Sequence, residues 1–333
     1  MFIASVNNNS GSPGGQPLSL FRKRPSSTGT VGVQFNKGGV SLVCAEPRPI
    51  ETHSGEGETA RPFLQVAEWL PENDSQRQGR LLEERVEQLG LRRKACHLVL
   101  GREDYSLLLV EAPAVPASEL REALRWRIRD LIDFPADQAV LDAFLLPEDR
   151  SRGGKRMAYV AVAHRQLIEQ RIAQVADARL DLQVIDIPEL ALRNLVYRLC
   201  DTARGVALVK LGGGTGSLHI VRGDDLHLAR RFNVPYEGGL LEDLPEDVLL
   251  LEIQRSLDYF ERQMRQPPPG QICLIGENLS PDKITESLTS GLPMPVSLLD
   301  IESSLTLGDQ VQSHTLTLCL PAIGGALRLT EGD

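Results

Sequence analysis

The sequence predicts an α/β protein built from two similar halves around a central cleft, with a smaller α+β block inserted. Three observations carry this prediction. An apolar run, a glycine-bearing turn and a second apolar run occur at residues 31–45 and recur at residues 205–221. After each hairpin the chain alternates between strand-like and helix-like hydrophobic periods. Between the copies, residues 101–181 hold strands and an amphipathic helix of their own.

Composition bounds the reading. A length of 333 residues suits two modest domains or one bilobed one, and 41% apolar residues support real cores. A net charge of −9 argues against nucleic acid as the main partner. Cys44, Cys96, Cys200, Cys273 and Cys319 are scattered without zinc or disulfide spacing, so they read as buried thiols in a reducing compartment. The start carries no apolar signal-like run. The longest apolar stretch, residues 318–327, is broken by Pro321, Gly324 and Gly325. It falls short of the roughly 20 residues needed to span a bilayer. The expectation is a cytoplasmic chain with no membrane span of its own.

In order, residues 1–29 read as a disordered tail, rich in Asn, Ser, Gly and Pro, with a basic–aromatic segment at 18–24. The first lobe begins at residue 30: strands at 31–35 and 40–45, a polar loop at 51–60, a strand at 63–70, a helix at 81–89 stopped by Gly90, and a strand at 96–101. The inserted block, 101–181, contains strands at 105–111, 140–146 and 157–163, a polar loop at 148–155 and a helix at 165–178. Its first helix is the clearest in the chain, with Ser118 as the expected cap and Glu119 and Glu122 in the first turn. Leu120, Leu124, Ile128, Leu131 and Ile132 make its apolar stripe. Trp126 falls on the polar side, flanked by Arg125 and Arg129, where an aromatic anchor for a protein partner would sit. Residues 182–203 return to the first lobe through a strand and a helix opened by Pro188. The second lobe, 204–320, has the second hairpin, a strand at 226–232, a long helix opened by Pro245 and ended by Pro267, Pro268 and Pro269, and strands at 271–275 and 294–298. Residues 321–333 form a C-terminal helix and tail.

The second hairpin draws the chemical questions. Backbone N–H groups of a glycine-rich turn can cradle phosphate. Here the turn leads into another strand, which excludes a dinucleotide fingerprint, and no Gly-Lys-Ser/Thr follows, which excludes a Walker loop. Duplicated hairpins of this kind instead suggest two stacked ribonuclease-H-like lobes, the actin-like architecture, in which both turns grip nucleotide phosphates. On that reading Lys210, Gly212, Gly213, Gly214, Thr215 and Gly276 form a degenerate nucleotide cleft. No metal or catalytic constellation stands out. His219 and His227, on adjacent strands, are expected to face each other on an exposed sheet face.

Several segments, in order, resemble the PilM-like type IV pilus assembly proteins, with the mannose-sensitive haemagglutinin (MSHA) pilus branch nearest in pattern. They are Leu20-Phe21-Arg22-Lys23 before Val31-Gly32-Val33, residues 119–126 leading to Asp130-Leu131-Ile132 and Asp142, residues 184–192, residues 252–260 and residues 322–328. The resemblance implies an actin-like fold and a cytoplasmic place in the inner-membrane assembly platform. It also implies docking of the cytoplasmic tail of a PilN-like membrane protein, at a surface expected where the inserted block meets the first lobe. Type II secretion L-type scaffolds are an alternative, although those normally continue into a transmembrane helix.

The departures from active actin-like proteins fall on the chemistry. Where those carry Asp, this chain has Gln34 and Lys210, and Glu277 follows Gly276 where the adenosine loop has paired glycines. A hard cation wants oxygen ligands, and Lys210 repels one. The expectation is a non-enzymatic scaffold with no required cofactor, the weaker alternatives being ATP binding without hydrolysis and a working actin-like ATPase or sugar-kinase relative. Lys210 is expected to pair with a carboxylate such as Glu277.

Overall fold

The computed structural model describes residues 2–3, 29–46, 61–147, 156–284 and 286–328. The first lobe opens with β1 (Phe2–Ile3), β2 (Thr30–Asn36), β3 (Gly39–Glu46), β4 (Phe63–Pro71), α1 (Ser75–Gln88) and β5 (Ala95–Val99). The inserted block follows as β6 (Tyr105–Glu111), α2 (Ala117–Ile128), β7 (Ala139–Leu145), β8 (Met157–His164) and α3 (Arg165–Asp177). Next come β9 (Asp181–Asp186) and α4 (Pro188–Leu199). The second lobe holds β10 (Val206–Gly212), β11 (Thr215–Arg222), β12 (Asp225–Asn233), α5 (Glu246–Asp258), β13 (Gln271–Gly276), α6 (Glu286–Ser290) and β14 (Val296–Leu298). The chain ends with α7 (Ile301–Ser304), β15 (Thr306–Leu307), α8 (Ser313–Leu318) and α9 (Leu320–Ala326).

The two main sheets share one connectivity. In the first, β4, β3 and β2 are antiparallel neighbours and β5 and β9 continue in parallel beyond β2. In the second, β12, β11 and β10 are antiparallel and β13 and β14 continue in parallel beyond β10. Each lobe therefore reads third, second, first, fourth, fifth, and the fold is the duplicated, actin-like one. Register confirms the equivalence of the hairpins. Gln34 faces Ser41 two residues before the closing pair Asn36–Gly39, and Lys210 faces Ser217 two residues before Gly212–Thr215.

Local chemistry explains most element boundaries. α1 starts six residues before the apolar periodicity because Asp74 accepts the Arg77 N–H at 2.9 Å. Its polar first turns are fixed by Gln78, whose amide donates to the carbonyls of Asn36 at 2.7 Å and Glu72 at 2.8 Å. Gly90 ends the helix region at φ 66°. α2 is capped at Pro116, so Ser118 lies inside the first turn and not at the cap. Leu120, Leu124 and Ile128 are buried, but the α-helix ends at Ile128 and Leu131 leaves the stripe, 57% exposed. α5 runs on into a π-helical turn, Tyr259–Gln263, that keeps Phe260 in the core.

Two expected boundaries are corrected. Ile301, Leu305, Leu316 and Cys319 join the first lobe's core, and β15 pairs with β4, so the chain is back in the first lobe well before residue 321. Ile168 and Val175 of α3 join the same core, so this helix belongs as much to the lobe as to the insertion. The segments 18–24, 51–60 and 148–155 lie outside the described residues. Within the expected tail, Phe2–Ile3 pairs with Val184 and Ile185 at the sheet edge.

Between the lobes, α4 packs on β11 and β12, while α9 packs on β2, β3 and β5, and the two helices pack on each other. Contact is backbone-close: a side chain at Gly324 would stand 2.0 Å from the Ala191 carbonyl oxygen. This close-packed pair ties the lobes together beneath the cleft.

Candidate functional site

The cleft is a cavity of about 330 Å³ whose walls include Gln34, Trp69, Arg102, Glu189, Lys210 and Glu277. The first-lobe hairpin's side of it is neutral. Gln34, 3% exposed, donates to the Leu100 carbonyl at 3.1 Å and accepts from Asn36 Nδ2 at 3.1 Å, so both ends of its amide are engaged. Ser41, opposite it, donates to the Leu318 carbonyl at 3.2 Å.

The second-lobe wall is charged. Lys210 enters the cleft from β10, and burial lowers its pKa, with Glu277 opposing that shift and Arg102 adding to it. Among the described residues no carboxylate lies within ion-pairing distance of Lys210. The expected direct pair with Glu277 is therefore replaced by attraction at a distance.

The glycines expected to line a nucleotide cleft have structural reasons of their own. Gly212, Gly213 and Gly214 adopt φ of 146°, 60° and 69°, and the last two form a tight primed turn that disfavours a side chain. The Gly214 N–H, expected to face phosphate, donates instead to the Tyr236 carbonyl at 3.1 Å. The Thr215 hydroxyl donates to the Gly212 carbonyl at 3.2 Å and accepts from Arg102 Nη1 at 2.5 Å, which ties the turn to the first lobe across the cleft mouth. Carboxylates flank the turn. A side chain at Gly214 would meet Glu237 Oε1 at 2.9 Å, and one at Gly212 would meet Glu277 Oε1 at 4.0 Å. Gly276 lets β13 lie against β10, since a Cβ there would come within 2.6 Å of the Leu211 carbonyl. Beyond it, Tyr236 donates to the Glu277 carbonyl at 2.8 Å and Asn278 to the Gly238 carbonyl at 2.6 Å. The loop after β12 thus occupies the backbone groups that border the cleft.

One buried network escaped the sequence reading. Glu189, 2% exposed, accepts from Arg231 Nη2 at 2.6 Å and from the Tyr105 hydroxyl, and Arg231 also donates to Tyr105. This joins α4, the second lobe and the inserted block. Burial, with the Glu189 charge beside it, raises the Tyr105 pKa well above its usual value. The available signal was Arg230-Arg231 in tandem on a strand, which must send one guanidinium to each face. Arg230 goes to Glu252 at 3.1 Å and Arg231 to Glu189.

His219, beside this network, is 2% exposed, and its Nδ1 has no hydrogen-bond partner. Burial pushes its pKa down to about 4. His227 does not face it. A bulge at Ile220/Val221 offsets the strands, and His227 packs edge-on to Phe260 at 6.2 Å, its pKa also lowered to about 4 by burial. Both rings are buried, which corrects the expectation of a solvated pair.

The expected partner anchors lie elsewhere from where they were sought. α2 packs on one face of the three-stranded sheet, against Val110, Leu141 and Val160, whereas Leu107, Val140 and Phe144 on the opposite face pack toward the lobes. Arg125, Trp126 and Arg129 thus belong to the outer side of the insertion, not to its junction with the first lobe. Trp126 is 70% exposed. Arg129 lies 3.5 Å from Asp130, and Arg125 is spent on the carbonyls of Ala136 and Ala139, each at 3.2 Å.

No protein-family model and no curated protein matches the chain. Among solved structures, it is similar to a chain of a PilM–PilN type IV pilus biogenesis complex, with a TM-score of 0.62 and 20% identity, covering 90% of this chain and 97% of that one. At a lower score, 0.46, and 11% identity, it is similar to the cytoplasmic domain of EpsL, an inner-membrane component of the type II secretion system of Vibrio cholerae, over 88% of this chain and 94% of that one. A Bacteroides thetaiotaomicron protein with an actin-like ATPase fold follows at a TM-score of 0.47 and 9% identity, over 82% of this chain and 91% of that one. No helix among the described residues is long and apolar enough to cross a membrane. The chain shares the actin-like fold of the matched chain, with Gln34 and Lys210 at equivalent register positions of its two hairpins.

Proposed function

We propose that this chain is a non-enzymatic cytoplasmic scaffold of the inner-membrane platform that assembles MSHA-type IV pili, in the role of MshI. It docks the cytoplasmic tail of a PilN-like membrane protein and sits at the inner membrane through that partner. The observation that carries the reading is the pairing of a PilM-like fold with a cleft unfit for Mg²⁺-dependent hydrolysis. An amide spent on internal bonds and a lysine occupy the places where a metal needs carboxylates. Glu237 and Glu277 beside the glycine turn add negative charge where phosphates would lie. For the partner, Trp126 supplies an exposed aromatic anchor with Arg129 beside it, while Arg125 holds the α2–β7 connection in place.

The test is calorimetry of purified protein with ATP and Mg²⁺, paired with a phosphate-release assay and titration of a PilN-like tail peptide. The scaffold reading expects peptide binding and no phosphate release. Micromolar nucleotide binding followed by phosphate release would overturn it. A second reading, ATP held without hydrolysis, is favoured by one observation, the lack of a direct partner for the Lys210 ammonium among the described residues. It expects metal-independent ATP binding that Lys210→Met abolishes.

A further inference from the structure

A second cavity, about 560 Å³, lies outside the cleft, between the inserted sheet and the second lobe. Its walls are Leu107, Leu109 and Tyr159 on one side and β12 with Arg255 and Tyr259 on the other. The Glu189–Arg231 pair forms the partition between this groove and the cleft, since both residues line both spaces.

Three features define what the groove can hold. First, β12 is an edge strand of its sheet among the described residues, and its open side faces the groove. The Tyr159 hydroxyl makes this visible: it accepts from the Ala229 N–H at 2.9 Å and donates to the Ala229 carbonyl at 3.1 Å, standing in for a neighbouring strand. By the two-residue alternation of an antiparallel ladder, the N–H and C=O of Arg231 and Asn233 point the same way. With Ala229 already bonded to Tyr159, the edge groups an extended chain can take are those of Arg231 and Asn233, beside the Tyr159 ring. Second, the face toward the inserted sheet is apolar, with Leu107, Leu109 and the Tyr159 ring half-buried or buried around an unfilled space. Third, the face toward α5 is cationic. Arg230 and Arg255 share one carboxylate, Glu252, at 3.1 and 2.7 Å. Two guanidinium groups against one carboxylate leave one positive charge, and Arg255 is 56% exposed.

We propose that this groove binds an extended peptide segment of a protein partner, added as a strand to the β12 edge, with apolar and acidic side chains in alternation. The period of two sends alternate side chains to opposite faces of the sheet. Apolar ones meet Leu107, Leu109 and Tyr159, while acidic ones meet Arg230 and Arg255. Nothing in this requires the pilus reading, and the groove is separate from the Trp126 surface, so the two stand or fall independently.

The probe is a fluorescein-labelled octapeptide of alternating Val and Glu, titrated onto the full chain by anisotropy. Three control peptides accompany it: four Val followed by four Glu, Lys in place of Glu, and N-methyl groups on alternate backbone nitrogens. Saturable binding by the alternating peptide is expected, weakened at least about tenfold, or about 1.4 kcal/mol, by N-methylation in the frame that faces β12, and similarly by Lys for Glu. Leu109→Glu and Arg255→Glu should each weaken it by about the same factor. Arg255 is exposed, so its variant keeps the test alive if Leu109→Glu fails to fold. Absence of saturable binding overturns the proposal, as does binding indifferent to N-methylation or to both variants. A concentration-dependent dimer in sedimentation that Leu109→Glu disperses would assign the groove to a second copy of the chain, and would overturn it too.

Discussion

The two walls of the cleft descend from equivalent hairpins and have opposite chemistry. The first hairpin's side is neutral and internally satisfied: Gln34 spends its amide on Leu100 and Asn36, and Ser41 on Leu318. The second-lobe wall gathers Lys210, His219 and Arg231, balanced by Glu189 directly and Glu277 from a distance. Equivalent register did not impose equivalent electrostatics. A neutral amide can be stabilised by backbone groups that any sheet offers, whereas each charge needs a dedicated partner from another element. The second wall is therefore the one whose integrity depends on long-range assembly. Glu189 comes from α4, and Tyr105 from the insertion.

This contrast can be broken from the charged side first. Glu189→Ala leaves Arg231 and Tyr105 facing an empty position. It should cost about 3 kcal/mol, the lower end for a buried pair because Arg231 remains a third exposed. Urea denaturation of the variant measures this, and a loss under 1 kcal/mol would mean the network is incidental. The next effect is on pH dependence. With a folded pKa near 4 and an ordinary unfolded value near 6.5, His219 and His227 stay neutral in the native state while the unfolded chain takes up protons. Stability should therefore fall as pH drops from about 6.5 to 4, with a slope of up to about 1.4 kcal/mol per pH unit for each ring. Thermal unfolding of His219→Phe across this range should show a shallower slope than the parent.

The neutral wall should yield less. Gln34→Ala removes a hydrogen bond to a backbone carbonyl and is expected to cost about 1 kcal/mol, leaving the pH profile unchanged. The smallest contrast lies in the turns. Gly214→Ala meets a positive φ and the Glu237 carboxylate, and should lose about 1 kcal/mol. At Gly38, whose φ is not positive and whose nearest neighbour would be the Trp69 ring at 3.7 Å, alanine should be neutral to slightly stabilising. Equal effects at the two turns in chemical denaturation would erase the distinction drawn between them.

Much of this molecule was legible one residue at a time. The repeated hairpins, the breaks at Gly90 and Pro267, and the stripe through Leu120, Leu124 and Ile128 follow from local periodicity and backbone preference, which act over a few residues. The same holds for the amide at Gln34 and the ammonium at Lys210, since a side-chain type is a sequence fact. What sequence could not contain was who meets whom. The partners of Glu189 lie 84 and 42 positions away. Lys210 lacks the close carboxylate that composition suggested, and α2 turns Trp126 to the outer side. The chain's return to the first lobe at Ile301, the contact of α4 with α9, and the groove along β12 are likewise decided by packing between distant segments. Hydrophobic burial is non-directional, so a sequence marks which faces must be covered without saying by what, and only the assembled lobes make that choice.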